Sequence, residues 1–489
     1  MKTNSSATRR CCQPEKATEG NRTLDPPLTK RLLCRLSYGG GKIASPIIQG
    51  KCLKSKVDGS NNRKLGENEL RVAMISYHTC PLATLGGKDT GGMNVYVRDL
   101  TRQLGVIGVH VDVFTRSQDE HVPHVLHDLG YGNRVVHVPA GPEVPLAKPE
   151  LVDYIPEFVN GVETFSDAKG IQYDLIHSHY WMSGIAAKEL QQAWQTPVIH
   201  MFHTLGLMKQ RVARIPGEAE GDYRVQGEKD VLQLADRIVA ATQAELAQLQ
   251  WLYQADTEKI TIIPPGVDVS HFYPIPCDEA KEYIGIADNN RMLLFVGRIE
   301  PLKGIDTLIE AVAIMRQHKI FVDRQFCIAV IGGDPDVSAQ ALSDEMARLK
   351  QLCEQYGLRD LITFLGRRSQ DTLPYYYSAA EAVVVPSFYE SFGMVALEAM
   401  ACGTPVVASE VGGLAFLVQD GKTGFTVPVD EPQALADRLS QLMMDPALRA
   451  RMGAAGAKFA QQYAWEKIAD RICDLYNEVL GEKQSWRRF

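Results

Sequence analysis

Residues 390–400 read ESFGMVALEAM and carry two glutamates, Glu390 and Glu398, eight positions apart. On a single helix they would stand about 12 Å apart along the axis. Two carboxylates that share the work on one glycosidic bond sit roughly 5–9.5 Å apart, so a hydrolase-type acid/base pair is disfavoured. The spacing suits carboxylates that hold opposite ends of one extended ligand. Upstream, VGRIEPLKG (296–304) offers Arg298 and Lys303 just after an apolar run. A guanidinium fork and an ammonium point charge beside a helix start make a receptor for a diphosphate.

The stretch PSFYESFGMVALEAMACGTP (386–405) supplies the other half of such a site. A strand is expected to end at Pro386, with Glu390 in the loop and a helix starting near Phe392–Gly393. N–H groups of that first helical turn can receive a phosphate, and Gly393 permits close approach. Val395, Ala396, Leu397, Ala399 and Met400 surround Glu398 with apolar side chains, which implies a helix buried on most sides. A carboxylate in that setting can take both hydroxyls of a ribose. There is no GxxxxGK[ST] loop, and no GxGxxG follows the first strand, which argues against a P-loop and a nicotinamide site.

Positioning these groups takes a sheet. From Arg71 onward, short apolar runs alternate with helical stretches: RVAMISYH, VDVFTR, RVVHVPA, YDLIHSH, PVIHMFH and RIVAAT. A proline-interrupted segment, ITIIPPGVDVSHFYPIP, breaks the rhythm. A second series follows: RMLLFVGRI, FCIAVIGG, LITFLGR, AEAVVVPS and TPVVASE. This β-α alternation predicts two doubly wound, Rossmann-like α/β domains facing a cleft, with ligands at the C-terminal ends of the strands. The expected division is 70–264 for the first domain, 265–276 for a linker, 277–462 for the second domain and 463–489 for a terminal helix.

Composition is consistent with this. A chain of 489 residues with 45% hydrophobic residues is too long for one core. No apolar run is long enough to span a membrane. The ten cysteines are scattered, without CxxC pairs or zinc spacing, as expected for reduced thiols in the cytoplasm. The net charge of −7 divides unevenly: residues 1–64 hold 14 Lys/Arg against 4 Asp/Glu. That opening stretch has no periodic apolar pattern. Residues 1–69 are therefore expected to be a disordered or spurious extension, not a nucleic-acid arm or a signal peptide.

GRIEPLKG together with Glu390 and Glu398 resembles the donor site of retaining glycosyltransferases of family four, which have the GT-B fold. The resemblance covers about residues 70–480. It implies that Arg298 and Lys303 hold the diphosphate of a UDP-sugar, that Glu390 binds the donor sugar and that Glu398 binds the ribose. Arg368 would lie near the uracil, while Gly92, Phe392, Gly393 and Met394 complete the donor site. His203 would position the donor sugar and not act as a base. The terminal helix would cross back onto the first domain. No metal is needed for the chemistry, although Thr404 matches a position that holds a peripheral Mg2+ in some relatives.

The loops of the first domain are polar. SYHTCPLATLGGKDTGGMNVYV contains His78 and a Gly91–Gly92 turn leading to Asn94. Lys148, Tyr180, Thr204 and Arg224 stand in or after the matching loops. A lysine and an arginine aimed at one cleft suggest a phosphorylated acceptor. MISYHTCPL…DTGGMNVYV, YDLIHSHYWMSG and HTL are similar to the D-inositol-3-phosphate glycosyltransferases of mycothiol biosynthesis. That resemblance implies an acceptor site of His78, Asn94, Lys148, Tyr180, Thr204 and Arg224, with 1D-myo-inositol 3-phosphate as acceptor and N-acetylglucosamine or glucose as the sugar moved. The segment GEAEGDYRVQGEK departs from the usual wording of that group. A sucrose-phosphate-synthase-like transferase using a hexose phosphate is the alternative within the class. An epimerase, or a non-catalytic two-lobed sugar-phosphate-binding protein, is the alternative outside it. No nucleic-acid or integral membrane partner is implied, and a homodimer is left open.

Overall fold

The computed structural model describes residues 70–83, 90–214, 221–319, 326–333 and 344–486; the expectation for residues 1–69 lies outside them. The first half of the chain forms strands β1 (Arg71–Ile75), β2 (His110–Arg116), β3 (Val125–Leu126), β4 (Arg134–Val138), β5 (Leu175–His179), β6 (Val198–Met201), β7 (Arg237–Ala240) and β8 (Ile260–Ile262). The second half forms β9 (Arg291–Val296), β10 (Phe326–Ile331), β11 (Ile362–Gly366), β12 (Ala382–Val385), β13 (Val406–Ser409) and β14 (Gly424–Val427). The first sheet has the order β3-β4-β2-β1-β5-β6-β7-β8 and the second β11-β10-β9-β12-β13-β14. Every pairing is parallel except that of β3 with β4. Parallel strands covered on both faces read as unbroken apolar runs, and VAMI of β1 and AVVV of β12 are wholly buried in this way.

Six helices matter to the site: α1 (Gly92–Val106), α2 (Trp181–Trp194), α3 (Asp222–Leu234), α4 (Ile305–Gln317), α5 (Met394–Ala401) and α6 (Trp465–Trp486). One apolar core runs through both halves. It joins Val72 and Met74 of β1 to Met292 and Leu294 of β9 through Trp465, Ile472 and Tyr476 of α6. That terminal helix crosses back onto the first domain. Trp465 meets Tyr96 of α1 edge-on at 5.4 Å between ring centroids, and Tyr476 Oη is 2.7 Å from His177 Nδ1 on β5. The chain between β8 and the helix Cys277–Ile284 runs alongside this crossing, with Val267 N donating to Tyr463 O at 2.8 Å.

Candidate active site

In a parallel sheet, neighbouring strands deliver neighbouring loops. β9 and β12 are adjacent, so the loops that follow them, carrying Lys303 and Glu390, lie side by side. Phe388 N donates to Leu302 O at 2.9 Å and ties the two loops together. Lys303 Nζ is 2.5 Å from Glu390 Oε2, and Arg298 Nη1 is 2.7 Å from Glu300 Oε1. Behind the Glu390 loop lies Gly412, at a φ of 46°; a Cβ there would come within 2.0 Å of Glu390 O. A side chain at that position would push the glutamate out of place. Gly393 precedes α5 with a φ of 109°, a conformation L side chains rarely adopt.

Glu398 sits in the first two turns of α5, 6% exposed, and accepts a hydrogen bond from Tyr377 Oη at 2.7 Å. Burial pushes its carboxyl up to about 7; Tyr377 and Arg98 act against that rise, and Asp99 adds to it. Arg368 Nε reaches Tyr376 Oη at 3.1 Å.

The facing wall is built from the ends of β1, β5 and β6, three consecutive strands of the first sheet. Tyr180 directly follows β5 with a φ of 73°, and His203 follows β6 with a φ of 62°. Positive φ at two bulky residues is strain of the kind that collects at ligand-binding positions. His203 Nε2 lies 3.0 Å from His179 Nδ1, and burial lowers the His203 imidazole to about 3, so it is neutral in the physiological range. Lys148 Nζ lies 5.5 Å from the centroid of the Tyr180 ring, and the His78 ring packs on the same tyrosine at 4.4 Å. Asn94 lines the wall with its amide engaged: Nδ2 donates to Thr79 Oγ1 and Cys80 O, both at 2.7 Å, and Oδ1 accepts from Gly91 N at 2.9 Å. It therefore pins the loop after β1 to the start of α1.

One cleft of about 360 Å³ collects His78, Gly92, Asn94, Lys148, Tyr180, His203 and Thr204 from the first domain. From the second it collects Arg298, Lys303, Arg368, Glu390, Phe392, Gly393, Met394 and Glu398. A Cβ placed on Gly92 would lie 3.5 Å from Met394 Cγ, so the starts of α1 and α5 face each other across it.

Arg224 is the exception. It is wholly buried in α3 and absent from the cleft lining, with its guanidinium carbon 5.0 Å from the centroid of the Tyr180 ring and its Nε 2.8 Å from Glu228 Oε1. Its Nη2 donates to Thr204 O at 2.8 Å and Thr204 Oγ1 at 3.0 Å. It thus lies against Thr204 and Tyr180, two residues that line the cleft, with the Glu228 carboxylate one helical turn away. Lys209, which the sequence reading passed over, does line the cleft, as do Arg367, Gln370 and Tyr389. The signal for Lys209 was its place five residues after Thr204, on the short helix Gly206–Val212 that opens there. Thr404 is buried, and its hydroxyl donates to Tyr377 O at 2.7 Å, so it is turned away from the cleft. Among the described residues no group of three or more His, Cys, Asp or Glu is arranged to hold a metal, and no helix is long and apolar enough to cross a membrane.

Comparison with known proteins decides the family. A profile described as "Glycosyltransferase Family 4" matches residues 90–271, and one described as "Glycosyl transferases group 1" matches residues 277–459. The D-inositol 3-phosphate glycosyltransferase of Streptomyces bingchenggensis is 38% identical over 446 residues, 91% of this chain and 94% of that protein. The chain is a family-four glycosyltransferase. A second relative of this glycosyltransferase, the D-inositol 3-phosphate glycosyltransferase of Kineococcus radiotolerans, is 40% identical over 85% of this chain and 97% of its own. Among solved structures, the sucrose-phosphate synthase of Thermosynechococcus elongatus matches with a TM-score of 0.77 at 35% identity, over 84% of this chain and all of that one. The two facing sheets, with the terminal helix returning to the first, are the GT-B fold of such glycosyltransferases.

Proposed function

We propose that this glycosyltransferase moves a hexosyl group, N-acetylglucosamine or glucose, from a UDP-sugar to 1D-myo-inositol 3-phosphate in the cytoplasm, with retention at the anomeric carbon. The observation that carries the reading is the division of the cleft. One wall presents the Lys303–Glu390 pair, Arg298 and the buried Glu398, and the other presents Lys148, Tyr180, Thr204 and Lys209. The first set matches a nucleotide diphosphate with a sugar at one end and a ribose at the other. The second matches a small polyol bearing a phosphate dianion. The names of the relatives at 38–40% identity support that acceptor.

In this reading Arg298, Lys303 and the first turn of α5 stabilise charge that develops on the leaving diphosphate. Glu390 holds hydroxyls of the donor sugar and Glu398 those of the ribose. The acceptor oxygen attacks the anomeric carbon on the face the diphosphate leaves. Its bond to carbon forms as the carbon–phosphate-oxygen bond breaks, and its proton passes to the departing phosphate oxygen. His203, neutral and bonded to His179, orients the sugar. Holding both substrates between the walls contributes proximity and excludes water.

A hexose phosphate acceptor is the second reading, favoured by the likeness to sucrose-phosphate synthase. Released UDP, measured with UDP-N-acetylglucosamine and UDP-glucose against inositol 3-phosphate, fructose 6-phosphate and free inositol, separates the two. Transfer to fructose 6-phosphate alone rejects the cyclitol. Efficient transfer to unphosphorylated inositol rejects the phosphate subsite.

A further inference from the structure

Arg214 stands two residues past the short helix that carries Lys209, outside the cleft lining. It reaches across to the second domain. Its Nη1 is 2.7 Å from Asp306 Oδ2, and its guanidinium carbon lies 4.1 Å from the centroid of the Phe388 ring. Both partners adjoin the donor residues: Asp306, in the first turn of α4, is three residues after Lys303, and Phe388 is two before Glu390. Asp306 is nearly buried at the start of α4, where Oδ1 also accepts from Thr307 N at 3.0 Å. The site it offers is acidic. Glu310, one turn further along α4, has its carboxyl raised first by burial and then by Asp306 and Asp430, while Arg214 and Arg348 oppose the rise. Arg348, at 3.1 Å from Asp306 Oδ2, belongs to the same domain as these carboxylates; Arg214 comes from the other.

We propose that Arg214 is a positioning residue, an interlock that makes closure over the acceptor and alignment of the donor's Lys303–Glu390 pair a single event. When the domains part, the acidic site keeps only Arg348 of its own domain as a cation, and it gains a second when they meet. The planar guanidinium can fork to a carboxylate and stack on a ring at once, which an ammonium cannot reproduce. A transferase that attacks on the leaving-group face has reason for such a device. If the donor loops reach their reactive arrangement only when the acceptor helix is in place, water has less opportunity to replace the acceptor.

The inference rests on the chain being a two-substrate glycosyltransferase and not on which substrates it takes. The kinetics are therefore run with UDP-N-acetylglucosamine and inositol 3-phosphate, or with UDP-glucose and fructose 6-phosphate if wild type turns over only that pair. Arg214→Ala is expected to lower kcat on the order of tenfold, and to raise the share of donor lost to water. Arg214→Lys should fall between it and wild type. On an Asp306→Asn background, Arg214→Ala should cost less than it does in wild type, because the carboxylate partner is already gone and only the stack on Phe388 remains. Arg214→Gln, which keeps the bulk of the side chain, repeats the measurement should the alanine variant fold poorly. Wild-type kcat and hydrolysis share in a folded Arg214 variant overturn the proposal, as does an equal fold-loss on both backgrounds.

Discussion

Lys303 and Glu390 face each other at 2.5 Å across two neighbouring loops, each about one-fifth exposed. The cation assigned to the diphosphate is thus neutralised by the carboxylate assigned to the sugar. Donor binding has to share or break this pair, so the two residues should fail in different ways. Lys303→Ala leaves a carboxylate facing the diphosphate, and turnover is expected to drop on the order of 100-fold or more, with weaker UDP binding. Glu390→Gln releases the lysine. UDP should bind equally well or more tightly, while turnover falls about 10- to 100-fold through the lost bonds to the sugar. Calorimetry with UDP beside steady-state rates checks both, and weakened UDP binding in Glu390→Gln would count against the pairing.

Glu398 gives the donor site a pH dependence. Its carboxyl, raised to about 7 chiefly by burial, accepts ribose hydroxyls best when ionised. UDP affinity is expected to rise as pH increases from 6 to 8 and then to level off. Tyr377 Oη, Arg98 and Asp99 are the groups that set the midpoint. Because the folded value lies above the unfolded one, this residue favours folding most at acid pH, and that contribution is lost as pH rises toward 7. Glu398→Gln should flatten the pH profile of UDP affinity and bind UDP less tightly at pH 8. A profile unchanged by the substitution would remove Glu398 from the ribose.

Lys148 and Arg224 flank one ring, with Lys148 Nζ 5.5 Å and the Arg224 guanidinium carbon 5.0 Å from the centroid of Tyr180, but Arg224 is wholly buried and Lys148 is half-exposed. Arg224 is buried against Glu228, which also accepts from Gly206 N at 2.9 Å and from the Tyr253 hydroxyl. Arg224→Ala strands that carboxylate at a cost of about 3–5 kcal/mol, a fall in Tm on the order of 10 °C. Lys148→Ala and Lys209→Ala, on half-exposed side chains, should leave Tm within a degree or two and raise the acceptor's KM about tenfold or more. A thermal melt and an acceptor titration on the three variants test the division. An Arg224→Ala protein of wild-type stability would show that the Arg224–Glu228 pair does not hold the fold together.

The difference traces to how far a signal reaches along the chain. β9 and β12 were legible because strands buried on both faces are continuous apolar runs, and the loops after them carry their chemistry within a few residues. β3, only two residues long, is too short to show a pattern; GFTV of β14 opens on a glycine and carries a threonine, so it does not read as an apolar run, and ITI of β8 is absorbed into the proline-rich segment that follows it. The Arg224–Glu228 pair is legible, because Glu228 stands four residues on, the spacing of a helical ion pair. The bond from Tyr377 to Glu398 spans 21 residues and two elements, and Arg214 to Asp306 spans 92. No local pattern encodes either contact. The first exists because two helices of the second domain pack together, and the second because the two domains meet.

In and beneath the acceptor wall, His177, His179, His200 and His203 pack on and just after β5 and β6, and burial lowers all four, His177 and His203 to about 3. They bond as neutral rings: His200 Nδ1 lies 2.8 Å from Ser178 Oγ, His177 Nδ1 lies 2.7 Å from Tyr476 Oη, and His179 pairs with His203. In the unfolded chain each takes up a proton near pH 6.5. Their contribution to stability is therefore complete above 6.5 and is lost as pH falls toward 3. Glu245 and Glu398, both raised to about 7, work the other way between 7 and about 4.5. Four histidines outweigh two carboxyls, so Tm is expected to fall between pH 6.5 and 4.5 and to change little from 7.5 to 8.5. His200→Gln, which removes one titrating ring while keeping a polar group beside Ser178, should make that acid slope shallower whatever it does to Tm at neutral pH. An equally steep slope in the variant would mean that these rings are not what makes the fold acid-sensitive.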